Sequence, residues 1–294
     1  MAIANLNIAI IEESLGHTSD NEFLEFLRAA QNGNIAGLES FLGNRPGDIN
    51  RCDDLYDAAA THFAARHSQV DALRFLIDRG AVLGNPTNAG YNELHFGFGS
   101  LEVSSLIIEK RPDLIDSTTE SFSALILAIY CKNFDVASFL ISQNADVKFT
   151  NRNGNTALHY IADSNSDNAE ITFSLIQKGA DINAINHNGN SVLATAIGSG
   201  NLEISKLLLQ QQEIIIDANA RENLNLQLRE SEGFEEIEAL LNQRSIPNSI
   251  FSSSAIVTRL SDEIIDATRS ASDSDTEQQT KRKRLSPRID AVRR

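Results

Sequence analysis

The chain has 294 residues, 41% of them hydrophobic but only 6% aromatic, and no Trp. That is apolar material for about two average domains or one extended array, with a core of Leu, Ile and Ala rather than aromatic platforms for nucleic acid. A formal charge of −15 excludes wholesale binding to nucleic acid or anionic lipid through phosphate neutralisation.

Residues 1–19 read as an N-terminal extension. Its short apolar stretch has no basic region before it and is followed at once by Glu12 and Glu13, so it is a poor secretory signal. No apolar run reaches the length of a membrane span. From residue 20 a period takes over. A small or polar residue separates two short helical stretches, with an acid three residues later and an aliphatic four later in every copy after the first. The series runs Gly33, Ser68, Gly99, Lys132, Asp167, Gly200 and Gly233, at spacings of 35, 31, 33, 35, 33 and 33 residues. A similar helix follows, as in Asp71-Ala-Leu-Arg-Phe-Leu-Ile77, Asp135-Val-Ala-Ser-Phe-Leu-Ile141 and Glu203-Ile-Ser-Lys-Leu-Leu-Leu209. The acid suits the positive end of the helix dipole, and the aliphatics form one stripe to bury. A two-helix unit that cannot bury its own faces must stack on copies of itself. The reading is an all-α solenoid of about seven helix-turn-helix repeats over 20–243, expected to be a monomer.

Residues 244–294 are a different object. They hold ten basic and seven acidic side chains, a tail of +3 that leaves −18 on the rest, and ten Ser. Ile256-Val257, Leu260 and Ile264-Ile265 give one short amphipathic helix, and 270–280 is expected to be disordered. Lys281, Arg282, Lys283 and Arg284 resemble a monopartite nuclear localisation signal for an import receptor, with Ser286-Pro287 as a phosphorylation switch beside it.

Thr156-Ala-Leu-His159, Ile161-Ala162 and Gly179-Ala-Asp-Ile-Asn183 resemble the ankyrin repeat, whose hallmarks are T-P-L-H at the start of the first helix and G-A-D-V-N after the second. Gly80-Ala81 and Asn144-Ala-Asp-Val147 repeat the second element. Ala59-Ala-Thr-His62 and Leu94-His95 are weaker copies of the first. The resemblance implies a β-turn finger and two antiparallel helices per repeat. It also implies that His62, His95 and His159 are structural, and that partners dock on a concave face of finger tips and first-helix ends. The divergent repeats, Asn/Ile-rich composition and scarcity of Pro are similar to ankyrin proteins that intracellular bacteria secrete into host cells.

The positions this resemblance assigns to a partner include Tyr56, Tyr91, Phe122, Tyr130, Arg152, Asn153, His187 and Asn188. The four aromatics stand where the fold has no need to bury them and are expected to be exposed anchors. A body of −18 favours a basic partner face. The expected function is a non-catalytic protein–protein adaptor of cytoplasm or nucleus, or of a host cell after bacterial secretion. No cofactor is expected, and no His, Cys or carboxylate spacing suits a metal. The alternative is a cysteine-dependent hydrolase or modifying enzyme embedded in the array. Against it, Asp53 and Asp54 oppose ionisation of Cys52, and Cys131 has no His near it in sequence.

Overall fold

A computed structural model of the chain describes residues 15, 19–164, 168–230 and 233–245. The described residues up to Glu238 form one compact unit, and Ala239–Ser245 belong to a second. The described residues hold fourteen helices and no β-strand, only three isolated bridges. The helices are α1 (Asn21–Gln31), α2 (Ile35–Asn44), α3 (Ala60–Arg66), α4 (Val70–Asp78), α5 (Glu93–Phe96), α6 (Leu101–Lys110) and α7 (Ala124–Tyr130). They continue as α8 (Phe134–Ser142), α9 (Ala157–Asp163), α10 (Ala169–Gln177), α11 (Val192–Gly198), α12 (Leu202–Gln210), α13 (Ala218–Glu230) and α14 (Glu235–Ser245).

The odd-numbered helices from α1 to α13 touch one another in series and form an inner layer. The even-numbered ones from α2 to α12 do the same outside it. An inner helix such as α7 has seven residues, too few to hold together alone. Stacking supplies the stability: Ala124, Leu125, Ile126, Leu127, Ala128 and Ile129 are all buried. Apart from α3, which Ala59 precedes, the inner helices start where a short polar side chain accepts a backbone N–H. These caps are Asp20 for Phe23 (3.1 Å), Ser123 for Ile126 (3.2 Å), Ser191 for Ala194 (3.0 Å) and Asp217 for Ala220 (2.9 Å).

The turn from inner to outer helix falls on the periodic residues of the sequence. Gly33, Ser68, Lys132, Gly200 and Gly233 all have φ between 57° and 94°. At Lys132 the amide bonds back to Ile129 O and the next amide, Asn133, to Ala128 O, which turns the chain tightly after the helix. Gly99 is the exception. The third repeat shortens α5 to four residues and closes on a 3-10 turn, Gly97–Gly99. A Cβ at Gly97 would lie 2.9 Å from Val103, so glycine is what lets this compressed turn pack against α6.

Two features depart from the expected repeat. After α2 and α6 the Gly-Ala-Asp element is replaced by Arg45-Pro46 and Arg111-Pro112, each opening a 3-10 turn (Pro46–Asn50 and Pro112–Asp116). Arg45 and Arg51 both pair with Asp20, at 3.0 and 2.7 Å, and Arg51 also lies 4.1 Å over the Phe23 ring. The seventh repeat has no finger. Its cap Asp217 follows α12 after six residues, and α13 runs for thirteen residues instead of seven. The period of 33 survives because the finger has been absorbed into the helix.

The tail features, including the 256–265 helix, the disorder expected at 270–280 and Lys281–Arg284, lie outside the described residues.

Candidate partner-binding face

The fingers sit between each outer helix and the next inner one. Each closes on a backbone bond to the residue just before the helix cap. Asp53 N–H donates to Ala58 O (3.0 Å), Thr87 to Tyr91 (2.8 Å), Thr119 to Phe122 (2.8 Å), Asn151 to Asn155 (3.0 Å) and Asn186 to Asn190 (3.0 Å). Neighbouring fingers are joined edge to edge by backbone N–H donation from Asn88 to Tyr56 O, Arg152 to Glu120 O and His187 to Asn153 O, at 3.0, 3.1 and 2.9 Å.

Of the residues assigned to a partner, Arg152, Asn153, His187 and Asn188 are exposed on finger tips, and Tyr56 and Tyr130 are half-buried. The expected exposure of Tyr91 and Phe122 is corrected: they are 3% and 5% exposed. Both occupy the position immediately before a helix cap, where an apolar side chain folds back on the helix it precedes. Tyr91 packs on Phe96, with ring centroids 5.8 Å apart. Phe122 sits against Tyr130 and Tyr160, at 5.9 and 6.1 Å. The equivalent position holds Asn155 and Asn190 in the fifth and sixth repeats, and there it is only half-buried.

Tyr160 is the residue that sequence reasoning missed. It lies one turn from the end of α9 and meets Tyr130 of the preceding repeat edge to face, with centroids 5.8 Å apart. Its hydroxyl accepts from Asn151 Nδ2 at 2.8 Å. Burial pushes both phenols up, and the Asp163 carboxylate adds to that shift. The available signal was spacing: Tyr130 ends one inner helix, and Tyr160 falls 30 residues later, in the last turn of the next.

Beyond Tyr160 an open groove of about 320 Å³ runs between the inner helices of the fifth to seventh repeats. Ala194 and Gly198 line it beside Tyr160, Asp163, Asn190 and Asn223. A Cβ on Gly198 would meet Asn223 Nδ2 at 2.9 Å, so a larger residue there would displace the Asn223 amide.

Two of the three histidines tie neighbouring repeats together. The His159 Nδ1 accepts from Thr156 N–H (3.2 Å), and its Nε2 donates to Asn190 O (3.2 Å) in the next repeat. His62 is bonded the same way, from Ala59 N–H (3.1 Å) and to Asn85 O (3.0 Å). Burial lowers the His159 pKa and pushes that of His95 down to about 4. Both imidazoles are therefore neutral at pH 7.

Both cysteines are half-buried, and burial pushes both thiols up. For Cys52 the carboxylates of Asp57, Asp53 and Glu93 add to the effect. For Cys131 the Arg66 charge opposes it in part. Neither setting favours a thiolate nucleophile. Among the described residues no three His, Cys, Asp or Glu side chains are grouped to hold a metal ion. Among them, too, no helix is long and apolar enough to cross a membrane.

The family model for ankyrin repeats matches residues 98–186 and 125–222. The chain is 26% identical over 139 residues to a Caenorhabditis elegans homologue of transient receptor potential cation channel subfamily A member 1, covering 46% of this chain and 10% of that protein. It is 28% identical over 149 residues to the putative palmitoyltransferase ZDHHC13 of Danio rerio (48% and 22%), and 32% identical over 115 residues to human neurogenic locus notch homolog protein 2 (38% and 5%). The chain thus spans less than a quarter of the length of these relatives. Among solved structures, the human ASB11 ankyrin repeat domain superposes with a TM-score of 0.60 at 16% identity, covering 73% of this chain and 96% of that one. A chain from the complex of the Bdellovibrio bacteriovorus predatory endopeptidase Bd0816 with immunity protein Bd3460 superposes at 0.57 and 22% identity, covering 66% and 100%.

Proposed function

We propose that a partner protein docks on the finger tips and inner-helix ends of this chain, whose ankyrin repeats are a scaffold for protein–protein interaction. The observation that carries this is the Tyr130–Tyr160 pair, half-buried beside exposed Arg152, Asn153, His187 and Asn188. Partly exposed aromatic anchors framed by polar groups are the usual centre of an interface. The reading is of a scaffold without chemistry of its own, and the high thiol pKa values support it against a cysteine hydrolase.

The test is affinity capture from a eukaryotic lysate with the full chain and with a Tyr130→Ala/Tyr160→Ala variant of measured thermal stability. Loss of a partner by a factor of roughly ten or more in the variant is expected. Equal capture would reject the face. The negative body favours a partner with a basic surface, so capture should weaken as salt is raised. Nuclear entry rests on Lys281, Arg282, Lys283 and Arg284. Replacing the four by Ala should leave a fluorescent fusion in the cytoplasm. The host-cell reading rests on composition alone, and a secretion assay with the chain cut after Gln243 tests it.

A further inference from the structure

The groove beside Tyr160 has an uneven balance of hydrogen-bonding groups. Asp163 ends α9 on the surface, and one carboxylate oxygen, Oδ1, accepts from Ser199 Oγ at 2.7 Å. It makes no ion pair among the described residues, so Oδ2 keeps its full capacity as an acceptor. The Asn223 side chain donates its amide N–H to Ala194 O (2.7 Å), which fixes the flip of the amide and leaves Oδ1 as the spare atom. The Asn186 side chain donates to Asn155 Oδ1, and its oxygen is used up in accepting from Asn188 and Asn190 N–H. His159 is neutral, with its Nε2–H donated to Asn190 O. Asp163 is thus the single formal charge in the lining, and the open valences at it and at Asn223 are acceptors.

A ligand group that answers Asp163 Oδ2 and Asn223 Oδ1 together is cationic and rich in donors. Tyr160 adds an aromatic wall, on which a planar cation stacks better than a compact, strongly hydrated ammonium. Resting on the partner-binding reading above, we propose that this groove is a subsite for an arginine side chain of the partner. The guanidinium would donate to Asp163 Oδ2 and Asn223 Oδ1 and lie against Tyr160. Lysine meets the charge requirement but offers no fork and no planar face.

The test is selection of a random heptapeptide display library on the full chain, on an Asp163→Asn variant and on Tyr130→Ala. Asp163 is exposed, and Asn keeps an acceptor for Ser199, so the fold should persist; thermal melts check this. The expected result is a consensus with Arg at one fixed position, favoured over Lys. Selected peptides should bind Asp163→Asn roughly ten-fold more weakly by fluorescence anisotropy, and a citrulline in place of the Arg should cost as much. A consensus without Arg, no consensus at all, or Arg peptides that bind Asp163→Asn unchanged would each overturn the proposal. A consensus that lacks Arg but is lost on Tyr130→Ala would overturn this subsite and leave the partner-binding face standing.

Discussion

Two carboxylates at opposite ends of inner helices have opposite fates. Glu93 lies at the junction of the second and third repeats and is fully buried. Its Oε1 accepts from Thr61 Oγ1 at 2.7 Å and its Oε2 from Gly84 N–H at 2.8 Å, with His62 Nε2 at 3.8 Å. Asp163, three repeats from Thr61, is exposed and has one oxygen committed. Glu93 is the first residue of α5 and meets the second repeat, whereas Asp163 is the last residue of α9; the position before the helix cap divides the array in the same way. Tyr91 at the third repeat and Phe122 at the fourth close the surface over the inner helices, whereas Asn155 and Asn190 in later repeats leave it open. One scaffold thus has a sealed half held by internal pairing and an open half with valences to offer.

The sharpest way to break this comparison is on the sealed side. Tyr91→Ala and Phe122→Ala should each destabilise the array by about 3–5 kcal/mol, since each empties a packed aromatic site; urea unfolding measures it. A loss below about 1 kcal/mol would mean these rings are surface groups after all. Acidification should act on the same half. The His95 ring is held down to about 4 by burial, although the Phe122 and Ser117 carbonyls oppose this. The unfolded chain binds that proton first, so the contribution is whole above about pH 6.5 and is lost as pH falls toward 4, about 3 kcal/mol in all. Melting at stepped pH checks this, and His95→Gln should flatten the profile in that window.

Glu93→Gln should cost about 2 kcal/mol, because an amide that accepts from Gly84 N–H must turn its NH2 to Thr61, whose hydroxyl then loses its charged acceptor. Hydrogen exchange at the Gly84 amide should accelerate with it. On the open side, Arg152→Ala and His187→Ala should change stability by no more than about 0.5 kcal/mol. Their effect should appear only in partner capture, which would sharpen the division between scaffold and surface.

The stacking of helix pairs was legible in the sequence because its signal is redundant: a period, an acid in the first turn and a three-four aliphatic stripe recur together. The turn positions were legible even where glycine is absent, since Ser68 and Lys132 take the same left-handed conformation as Gly33 and Gly200. The direction of a finger side chain was not. Tyr91 and Phe122 lie in polar, turn-like stretches that read as surface, and only the adjoining cap, Asn92 or Ser123, marks them as residues that fold inward. Tyr160 was hidden for the opposite reason, because it belongs to an inner helix whose neighbours are core. Glu93 stands where the resemblance leads one to expect Pro, a departure whose buried role needed Thr61, 32 residues away, to become visible.

The seventh repeat, with its finger turned into helix, acts as a terminator. On the last finger the backbone carbonyl of Gly189, next to the Asn188 carbonyl that a further finger would meet, accepts a side-chain N–H from Asn219 of α13 at 2.7 Å. Growth of the finger ribbon by another copy is thereby blocked at that end, much as a chain-terminating monomer ends a polymer. Repeats inserted between the fifth and sixth should lengthen the array, whereas repeats grafted after α13 would meet an edge already filled.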